Sequence, residues 1–206
     1  MTARQKLFRT TTALLLPIAF AACDDDDPTG PDGSSGSVSA VMHDGSGASG
    51  MTAARAMSGA FAGSASGSAQ VWIYSDAEGW IALGSPTNAT VQMQSDTETM
   101  IHGSATVPAG SYTRVRLVME GFDADIAAGA VLGGLTLDAA VTITMGGSDG
   151  RVEIEKTMTP FTVSASSTTK LAFDLNSEAW VDQQSAESRS AADARIQSAT
   201  SAYVAS

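Results

Sequence analysis

Three aromatic side chains near the middle of the chain are the residues best suited to contact a ligand. Trp72 and Tyr74 are two residues apart in a dense β run, so a strand would place both side chains on one face. Trp80 lies in the run that follows the next turn. Such neighbouring rings can form a flat platform on which a sugar ring stacks. The alternative is that the rings fill a hydrophobic core, and the sequence leaves both interpretations open.

One short motif has the spacing of a hydrolase nucleophile. Residues 146–150 read GGSDG and fit the pattern G-x-S-x-G around Ser148. In such enzymes the serine stands between a strand and a helix, and a histidine follows later in the chain. Here a β pattern follows from Arg151, and both histidines, His43 and His102, precede the serine. The motif is typical of a hairpin loop, and we expect no enzymatic activity.

The sequence shows no convincing pattern of metal ligands. The two histidines and the single cysteine do not cluster, so zinc is not indicated, and we expect the histidines at the surface or satisfied in loops. Asp174, Asn176 and Glu178 resemble the opening of an EF-hand loop, but Ala179 stands where that loop requires glycine. We therefore expect neither a metal nor another cofactor.

The charge of the chain restricts its partners. The 206 residues carry 22 acidic and 11 basic side chains, for a formal net charge of -11. A surface this acidic repels phosphate backbones and offers no basic stripe. Nucleic acid is therefore not expected as a partner.

The first 22 residues have the order of an export signal. The basic residues Arg4, Lys6 and Arg9 precede a mostly apolar stretch at 10–22, which ends in small residues. A transmembrane helix needs about 20 apolar residues, and this stretch is shorter and interrupted by Pro17. The sequence predicts a signal peptide over 1–22 rather than a membrane span.

The end of this signal resembles the lipobox of bacterial lipoproteins. Phe20, Ala21 and Ala22 lead directly to Cys23. The resemblance implies that Cys23 becomes the first residue of the mature protein and carries a lipid. Two or more acyl chains hold a protein stably on a membrane. We therefore expect a membrane-anchored protein of a Gram-negative cell envelope.

Four aspartates, Asp24, Asp25, Asp26 and Asp27, follow the cysteine and form a candidate sorting signal. An aspartate in this place resembles the inner-membrane retention signal of enterobacteria, whereas an acidic run resembles the surface-export tag of other Gram-negative phyla. A third interpretation is a solvated charge run with no sorting role. The outer membrane or the cell surface is favoured over the inner membrane.

A long segment after the cysteine is predicted to be a disordered tether. Residues 23–69 are acidic at first and then rich in Gly, Ser and Ala, which cannot bury enough apolar surface to fold. One exception is 37–42, SVSAVM, which has β character and is followed by a turn signal. This stretch is a candidate first strand.

The remainder predicts an all-β domain over 70–182 and a tail or marginal helix over 183–206. Short alternating runs follow one another with no helical pattern between them, which favours an antiparallel β-sandwich. Within one run Val115, Leu117 and Met119 face inward while Arg114 and Arg116 face out. The runs at 135–145 and 151–156 are predicted to form a hairpin around GGSDG.

This order resembles the β-sandwich domain of uncharacterised bacterial envelope lipoproteins, a domain of unknown function. The likeness rests on PAGSY followed by TRVRL at 108–117, FTV at 161–163 and TTKLAFDLN at 168–176. It covers 70–182 and implies a sandwich of immunoglobulin- or transthyretin-like general architecture. These motifs are turn and strand patterns, and they imply no catalytic residues.

The expected function is that of a lipid-anchored envelope protein that displays a β-sandwich as a structural or binding module. The alternative is a carbohydrate- or peptide-binding accessory domain that uses Trp72, Tyr74 and Trp80 as its ligand face. An envelope hydrolase is the third and least supported reading. The expected partners are the membrane, through the lipid, and a carbohydrate or an envelope protein.

Overall fold

The computed structural model describes residues 33–45, 63–132, 135–146, 149–180, 190–191 and 193–206. The predicted signal peptide, Cys23 and the four aspartates lie outside the described residues, as does the part of the predicted tether at 46–62. The segment Gly33–Ser206 forms one compact unit. No helix among the described ranges is long and apolar enough to cross a membrane.

One layer of the fold is a sheet with strand order β13-β11-β1-β5. Its strands are β1 (Ser35–Asp44), β5 (Ser95–Pro108), β11 (Thr168–Asp174) and β13 (Ser201–Ala205). β1 pairs in parallel with β11 and antiparallel with β5, while β13 pairs antiparallel with β11. We call this layer sheet A.

The second layer, sheet B, is built around two long strands that pair with each other. The strands of this sheet are β2 (Gly63–Ser75), β3 (Gly79–Ala82), β4 (Thr87–Met93), β6 (Gly110–Ile126), β9 (Val141–Met145), β10 (Arg151–Val163) and β12 (Ser190–Ala191). β2 and β6 are the central antiparallel pair. β3 and β4 pair with the edge of β2 that faces away from β6. β9 and β10 pair with the edge of β6 that faces away from β2.

Three smaller features complete the described fold. β7 (Val131–Leu132) and β8 (Leu135–Thr136) form a small antiparallel pair. Two short helices, α1 (Ser177–Trp180) and α2 (Asp193–Ala199), flank the last strands. The isoleucine at 196 in α2 is fully buried, so this helix closes part of the core.

The predicted β-sandwich is confirmed, and its core lies between sheets A and B. In β6 the predicted inward residues Val115, Leu117 and Met119 are fully buried. They meet the inward side chains of sheet A, such as Met42 and Phe173, which are also fully buried. The two-residue period of the apolar side chains therefore gives the fold its two layers.

The candidate first strand at 37–42 is confirmed and extends over the whole of β1. It lies between β11 and β5, and Val38, Ala40 and Met42 reach the core. Ser39 and Val41, on the opposite face, are also buried, as is usual for a central strand with a parallel neighbour. The predicted domain start at residue 70 is too late, because β1 begins at 35 and β2 at 63.

The predicted hairpin between 135–145 and 151–156 is wrong. β9 and β10 do not pair with each other, and both pair with β6 instead. β6 is 17 residues long, so its edge accommodates β10 opposite 110–120 and β9 opposite 123–126. Gly121, with a φ of 60°, stands at the junction and donates its N–H to the Gly150 carbonyl. A glycine accepts this left-handed conformation without strain.

The C-terminal part of the chain is more ordered than the predicted tail. The marginal helix predicted there corresponds to α2, and the Lys156 ammonium donates a hydrogen bond to the Gln197 carbonyl within it. The strand that follows, β13, extends sheet A by pairing with β11 from Lys170 to Asp174. The C-terminal segment therefore belongs to the sandwich.

Candidate functional site

The three aromatic residues singled out in the sequence come together on the outer face of sheet B. β2 and β3 form a hairpin in which Tyr74 pairs with Trp80. Val71 and Ile73 occupy the inner face of β2, where they are buried, whereas the rings of Trp72, Tyr74 and Trp80 are only half-buried. The interpretation of these rings as core residues is therefore wrong.

Two arginines of the neighbouring strand stack on these rings. In β6, Arg114 lies opposite Tyr74 and Arg116 lies opposite Trp72. The guanidinium carbon of Arg114 is 3.7 Å from the centre of the Tyr74 ring, and that of Arg116 is 4.2 Å from the Trp80 ring. The Tyr74 and Trp80 ring centres are 5.3 Å apart and tilted by 58°. We call Trp72, Tyr74, Trp80, Arg114 and Arg116 the aromatic–arginine surface.

Carboxylates from β10 neutralise the arginines of this surface. Glu155 accepts hydrogen bonds from Arg114 at 3.1 Å and from Arg116 at 3.0 Å, and Glu153 lies 3.1 Å from the Arg116 Nε. The two arginines of β6 and the two glutamates of β10 thus form cross-strand ion pairs. These ion pairs are partly exposed, so each stabilises the fold by at most about 1 kcal/mol. Their main effect is to cancel the positive charge and hold the guanidinium groups over the rings.

A cavity of about 320 Å³ opens beside the aromatic–arginine surface. It lies between the β2–β3 turn at 75–78 and the β5–β6 connection at 108–113. Ser75 and Tyr112 are its buried residues. The Tyr112 hydroxyl donates a hydrogen bond of 2.8 Å to the Pro108 carbonyl, which ties together the two ends of the β5–β6 connection.

The charge in this cavity is negative. Asp76 and Glu78 are exposed at its rim, and the hydroxyl groups of Ser111 and Thr113 also line it. Burial raises the pKa of the Tyr112 phenol, and the nearby Glu78 carboxylate adds to this effect. The cavity therefore offers hydroxyl groups and carboxylate acceptors.

The cavity and the aromatic–arginine surface are contiguous through the chain. Tyr74 directly precedes Ser75, and Arg114 directly follows Thr113. Trp80 lies one residue beyond Gly79, where β3 leaves the turn that borders the cavity. The aromatic–arginine surface and the cavity therefore lie at the same end of sheet B.

A second group of polar side chains is buried at the ends of β1 and β11. His43 and Asp174 lie opposite each other in the parallel pair, and both are nearly inaccessible to solvent. The His43 Nε2 and the Tyr203 hydroxyl share a hydrogen bond of 2.8 Å. The His43 Nδ1 is 3.9 Å from a carboxylate oxygen of Asp174. The expectation of a surface or loop position for His43 is wrong.

Asp44 accepts three hydrogen bonds in this group. Its carboxylate accepts the backbone N–H groups of Ser177 at 2.6 Å and Gln94 at 2.8 Å, and it also accepts the Ser177 hydroxyl. Burial raises the pKa of Asp44, whereas these hydrogen bonds act in the opposite direction. The contacts tie β1 to the β4–β5 turn and to α1, so the group has an evident structural role.

The sequence motif resembling an EF-hand opening takes part in this same structural group. The Asp174 carboxylate accepts the N–H of Gly45 at 3.1 Å and that of Asn176 at 3.2 Å. Among the described residues, no cluster of three or more His, Cys, Asp or Glu side chains is arranged to hold a metal ion. Sequence analysis missed this polar group, although the His-Asp-Gly turn after the candidate first strand was a local signal for its first half.

The serine motif shows strand neighbours where a hydrolase needs a helix. Residues 147–148, including Ser148, lie outside the described residues. β9 ends just before the motif and β10 begins just after it, at Arg151. A nucleophile elbow requires a helix in that second position. A hydrolase also needs a histidine, and one of the two histidines, His43, is hydrogen-bonded to Tyr203 at the end of sheet A.

The other half of the outer face of sheet B is polar. Asp123 and Asp125 lie on β6 and are exposed. Each accepts a hydroxyl hydrogen bond from β9, Asp123 from Thr144 at 2.9 Å and Asp125 from Thr142 at 2.6 Å. The outer face thus divides into an aromatic–arginine half and a carboxylate–hydroxyl half.

Comparison with known proteins identifies a family and gives no assigned chemistry. No curated protein and no solved structure matched the chain. A match to the family described as "Domain of unknown function (DUF4382)" covers residues 39–188. This range includes most of β1, both long strands of sheet B and β11, so the match spans the central strands of both sheets. The chain therefore belongs to the DUF4382 family of domains of unknown function.

Proposed function

We propose that the protein is a lipid-anchored component of a Gram-negative cell envelope that uses its sandwich as a non-enzymatic binding module. The observation that carries the binding role is the aromatic–arginine surface. Three large rings and two arginines are gathered on an outer sheet face, and the rings stay half-exposed. Tyr, Trp and Arg are the residue types most enriched where proteins bind partners.

The composition of the core supports a role for these rings outside the interior. The core is already filled by aliphatic side chains and by Tyr112, Phe122 and Phe173, all of which are almost fully buried. Trp72, Tyr74 and Trp80 add nothing to that interior. Their position on the outer face is better explained by contact with a partner, which is a carbohydrate or a peptide segment of an envelope protein.

Support for the anchor comes from the sequence. A basic start, a short apolar stretch and small residues precede Cys23, and this order is typical of a lipidated export signal. The four aspartates that follow favour the outer membrane or the cell surface. Lipidation would place the sandwich next to envelope material, where a binding module can act.

The anchor is tested by replacing the lipidated residue. In a Gram-negative host that processes lipoproteins, Cys23→Ser is expected to move the protein from the membrane fraction to the soluble fraction. The matched control is Ser34→Ala, which leaves the cysteine intact and should remain in the membrane fraction. Retention of the Cys23→Ser protein on membranes would contradict the anchor. Protease treatment of whole cells tests surface exposure, because a protein facing the periplasm is protected.

The binding face is tested with the soluble Cys23→Ser protein. We expect it to be retained on isolated cell-envelope sheets, and we expect Trp80→Ala to reduce that retention strongly. The control is Met100→Ala, which removes a side chain that is 61% exposed on sheet A, away from the rings. Equal retention of all three proteins would refute the proposed face.

A purely structural module is the second candidate, and the paired charges favour it. Every arginine of the aromatic–arginine surface contacts Glu153 or Glu155 within the same sheet. A surface whose charged groups are already paired within the protein needs no partner to neutralise them. This candidate predicts that the soluble protein is not retained on envelope sheets and that Trp80→Ala alters only stability.

A further inference from the structure

We propose that the aromatic–arginine surface and the adjacent cavity together form one binding site for a neutral saccharide. One sugar ring would lie on Tyr74 and Trp80, and the next would enter the cavity between the two turns. This inference rests on the proposed binding function and names its ligand class. It depends on the chemistry of two features that lie at the same end of sheet B.

The first feature is the pair of half-exposed rings. The C–H groups on one face of a sugar ring form an apolar patch that packs against an aromatic ring, and its hydroxyl groups point outward around the edge. Tyr74 and Trp80 are tilted by 58° with centres 5.3 Å apart, so the two ring planes are steeply inclined to each other and do not form a single plane. A ring seated there contacts both side chains.

The arginines fix the rings in this position. Arg114 lies over Tyr74 at 3.7 Å and also lies 5.3 Å from Trp80. The guanidinium carbon of Arg116 lies 4.2 Å from the centre of the Trp80 ring. Because Glu155 holds both guanidinium groups, the rings are ordered before a ligand arrives, which lowers the entropic cost of binding.

The second feature is the set of polar groups in the cavity. Asp76 and Glu78 offer carboxylate oxygens that accept hydrogen bonds from sugar hydroxyls, and such charge-assisted bonds are the stronger kind. Ser111 and Thr113 add hydroxyl groups that both donate and accept. A ligand rich in hydroxyl groups satisfies all of these at once.

The charge of the site argues against an anionic ligand. Among the described residues that line the cavity, the charged ones are Asp76 and Glu78, and both are acidic. The two nearest arginines are already paired with glutamates of β10. A uronic acid or a phosphate would therefore meet uncompensated negative charge, whereas a neutral sugar would not.

The dimensions favour a saccharide over a peptide strand. The cavity of about 320 Å³ lies at the lower end of the usual range of about 300 to 1,000 Å³ for small-molecule sites, so it suits one sugar ring. An extended peptide gains most of its affinity by pairing with the backbone at a sheet edge. The groups assembled here lie on the face of sheet B and in a turn cavity, and they are side chains.

The test uses isothermal titration calorimetry on the soluble Cys23→Ser protein. The probes are two neutral hexasaccharides, one of glucose and one of N-acetylglucosamine, and an anionic hexasaccharide of galacturonic acid. We expect at least one neutral probe to bind and the anionic probe to bind at least about tenfold more weakly, a ratio equivalent to ~1.4 kcal/mol. Tighter binding of the anionic probe, or no binding of either neutral probe, would overturn the ligand class.

Three variants locate the site. Trp80→Ala and Glu78→Gln are each expected to weaken binding of the neutral probe about tenfold or more, because they remove the stacking ring and a charged acceptor. Glu120→Gln is the matched control, since Glu120 lies on the same sheet face six residues along β6 from Arg114. If Glu78→Gln and Glu120→Gln bind the neutral probe with equal affinity, the cavity is not part of the site.

Failure of this inference can be separated from failure of the proposed function. If Trp80→Ala lowers retention on envelope sheets while neither neutral probe binds, the aromatic face is correct and the saccharide is wrong. If Trp80→Ala affects neither measurement, the proposed binding face itself is refuted. Loss of both activities in Trp80→Ala and in Glu78→Gln supports the two proposals together.

Discussion

Removal of the Ser177 hydroxyl should destabilise the protein in a manner that depends on pH. The hydroxyl donates to the Asp44 carboxylate inside a site where Asp44 is 2% and Ser177 1% exposed. A hydrogen bond to a charged group contributes about 1.5–3 kcal/mol, against about 0.5–1.5 kcal/mol for a neutral one. Ser177→Ala is therefore expected to lower the free energy of unfolding by about 1.5–3 kcal/mol at neutral pH.

The sign of the pH dependence follows from the pKa of Asp44. Burial raises this pKa above its ordinary value of 3.8, and the Ser177 hydroxyl is the strongest of the contacts that lower it. Loss of the hydroxyl raises the folded-state pKa further. When an acid has a higher pKa in the folded state than in the unfolded state, its protonation stabilises the fold fully at pH values below the unfolded-state pKa. This stabilisation is lost as the pH rises through the folded-state pKa. The effect of Ser177→Ala should therefore be smaller at acid pH than at neutral pH.

Urea unfolding of the Cys23→Ser protein, followed by tryptophan fluorescence, measures the loss of unfolding free energy and its dependence on pH. The variant and its parent are compared at the same pH, at about 3 and at 7, so that other titrating groups cancel. Ser167→Ala is the control, because its hydroxyl donates to the Ser164 carbonyl in an exposed turn and should matter by less than about 0.5 kcal/mol. An equal loss at both pH values would refute the role assigned to Asp44.

Three further substitutions test the fold and the surface. Met42→Ala should cost about 2–5 kcal/mol, because Met42 is fully buried in β1, whereas Met100→Ala at an exposed site should cost almost nothing in the same urea experiment. Gly63→Ala should lower the free energy of unfolding by about 1–3 kcal/mol in a thermal unfolding experiment, because φ at Gly63 is 147° and a Cβ there would meet a β6 carbonyl oxygen. The control is Gly110→Ala, because Gly110 has open space around it. Glu155→Gln should cost less than about 1 kcal/mol and less still at high salt, because its ion pairs are partly exposed. A cost of several kcal/mol at Glu155, or none at Met42 or Gly63, would contradict these assignments.

The layers of the fold could be predicted because each strand carries its own two-residue pattern. Val115, Leu117 and Met119 point inward as their alternation indicates, and so do Leu171 and Phe173. Pairing partners were harder to predict, because alternation fixes the face of a strand and not its neighbour. The GGSDG loop favoured a local hairpin, but the length of β6 allowed both flanking strands to pair with it instead.

The positions of the aromatic rings needed information that local sequence does not contain. Both faces of β2 are apolar at 71–74, so the pattern does not say which side faces the core. The neighbouring strand decides this, because Arg114 and Arg116 of β6 stand on the same face as Trp72 and Tyr74. Charged side chains face the solvent, so the rings on the same face of the sheet also lie outside the core.

The buried polar group was beyond prediction for a different reason. His43 and Asp174 are 131 residues apart in the chain and meet only because β1 and β11 pair in parallel. A parallel pair has no connecting turn whose residues could announce it. The burial of β1 on both faces was also hidden, since its apolar run is short and directly follows the Gly- and Ser-rich residues 33–37.

The position of β1 also changes what an anchor at Cys23 would mean for the saccharide site. A tether ending at residue 69 would let the domain move far from a membrane, but β1 begins at Ser35, twelve residues after Cys23. Twelve residues span at most about 40 Å. Ser35 pairs with Pro108, and the Ser34 carbonyl accepts the N–H of Ala109, so the chain enters the sandwich beside residues that line the cavity. An anchor at Cys23 would therefore allow the sandwich less reach from a membrane than a tether ending at residue 69.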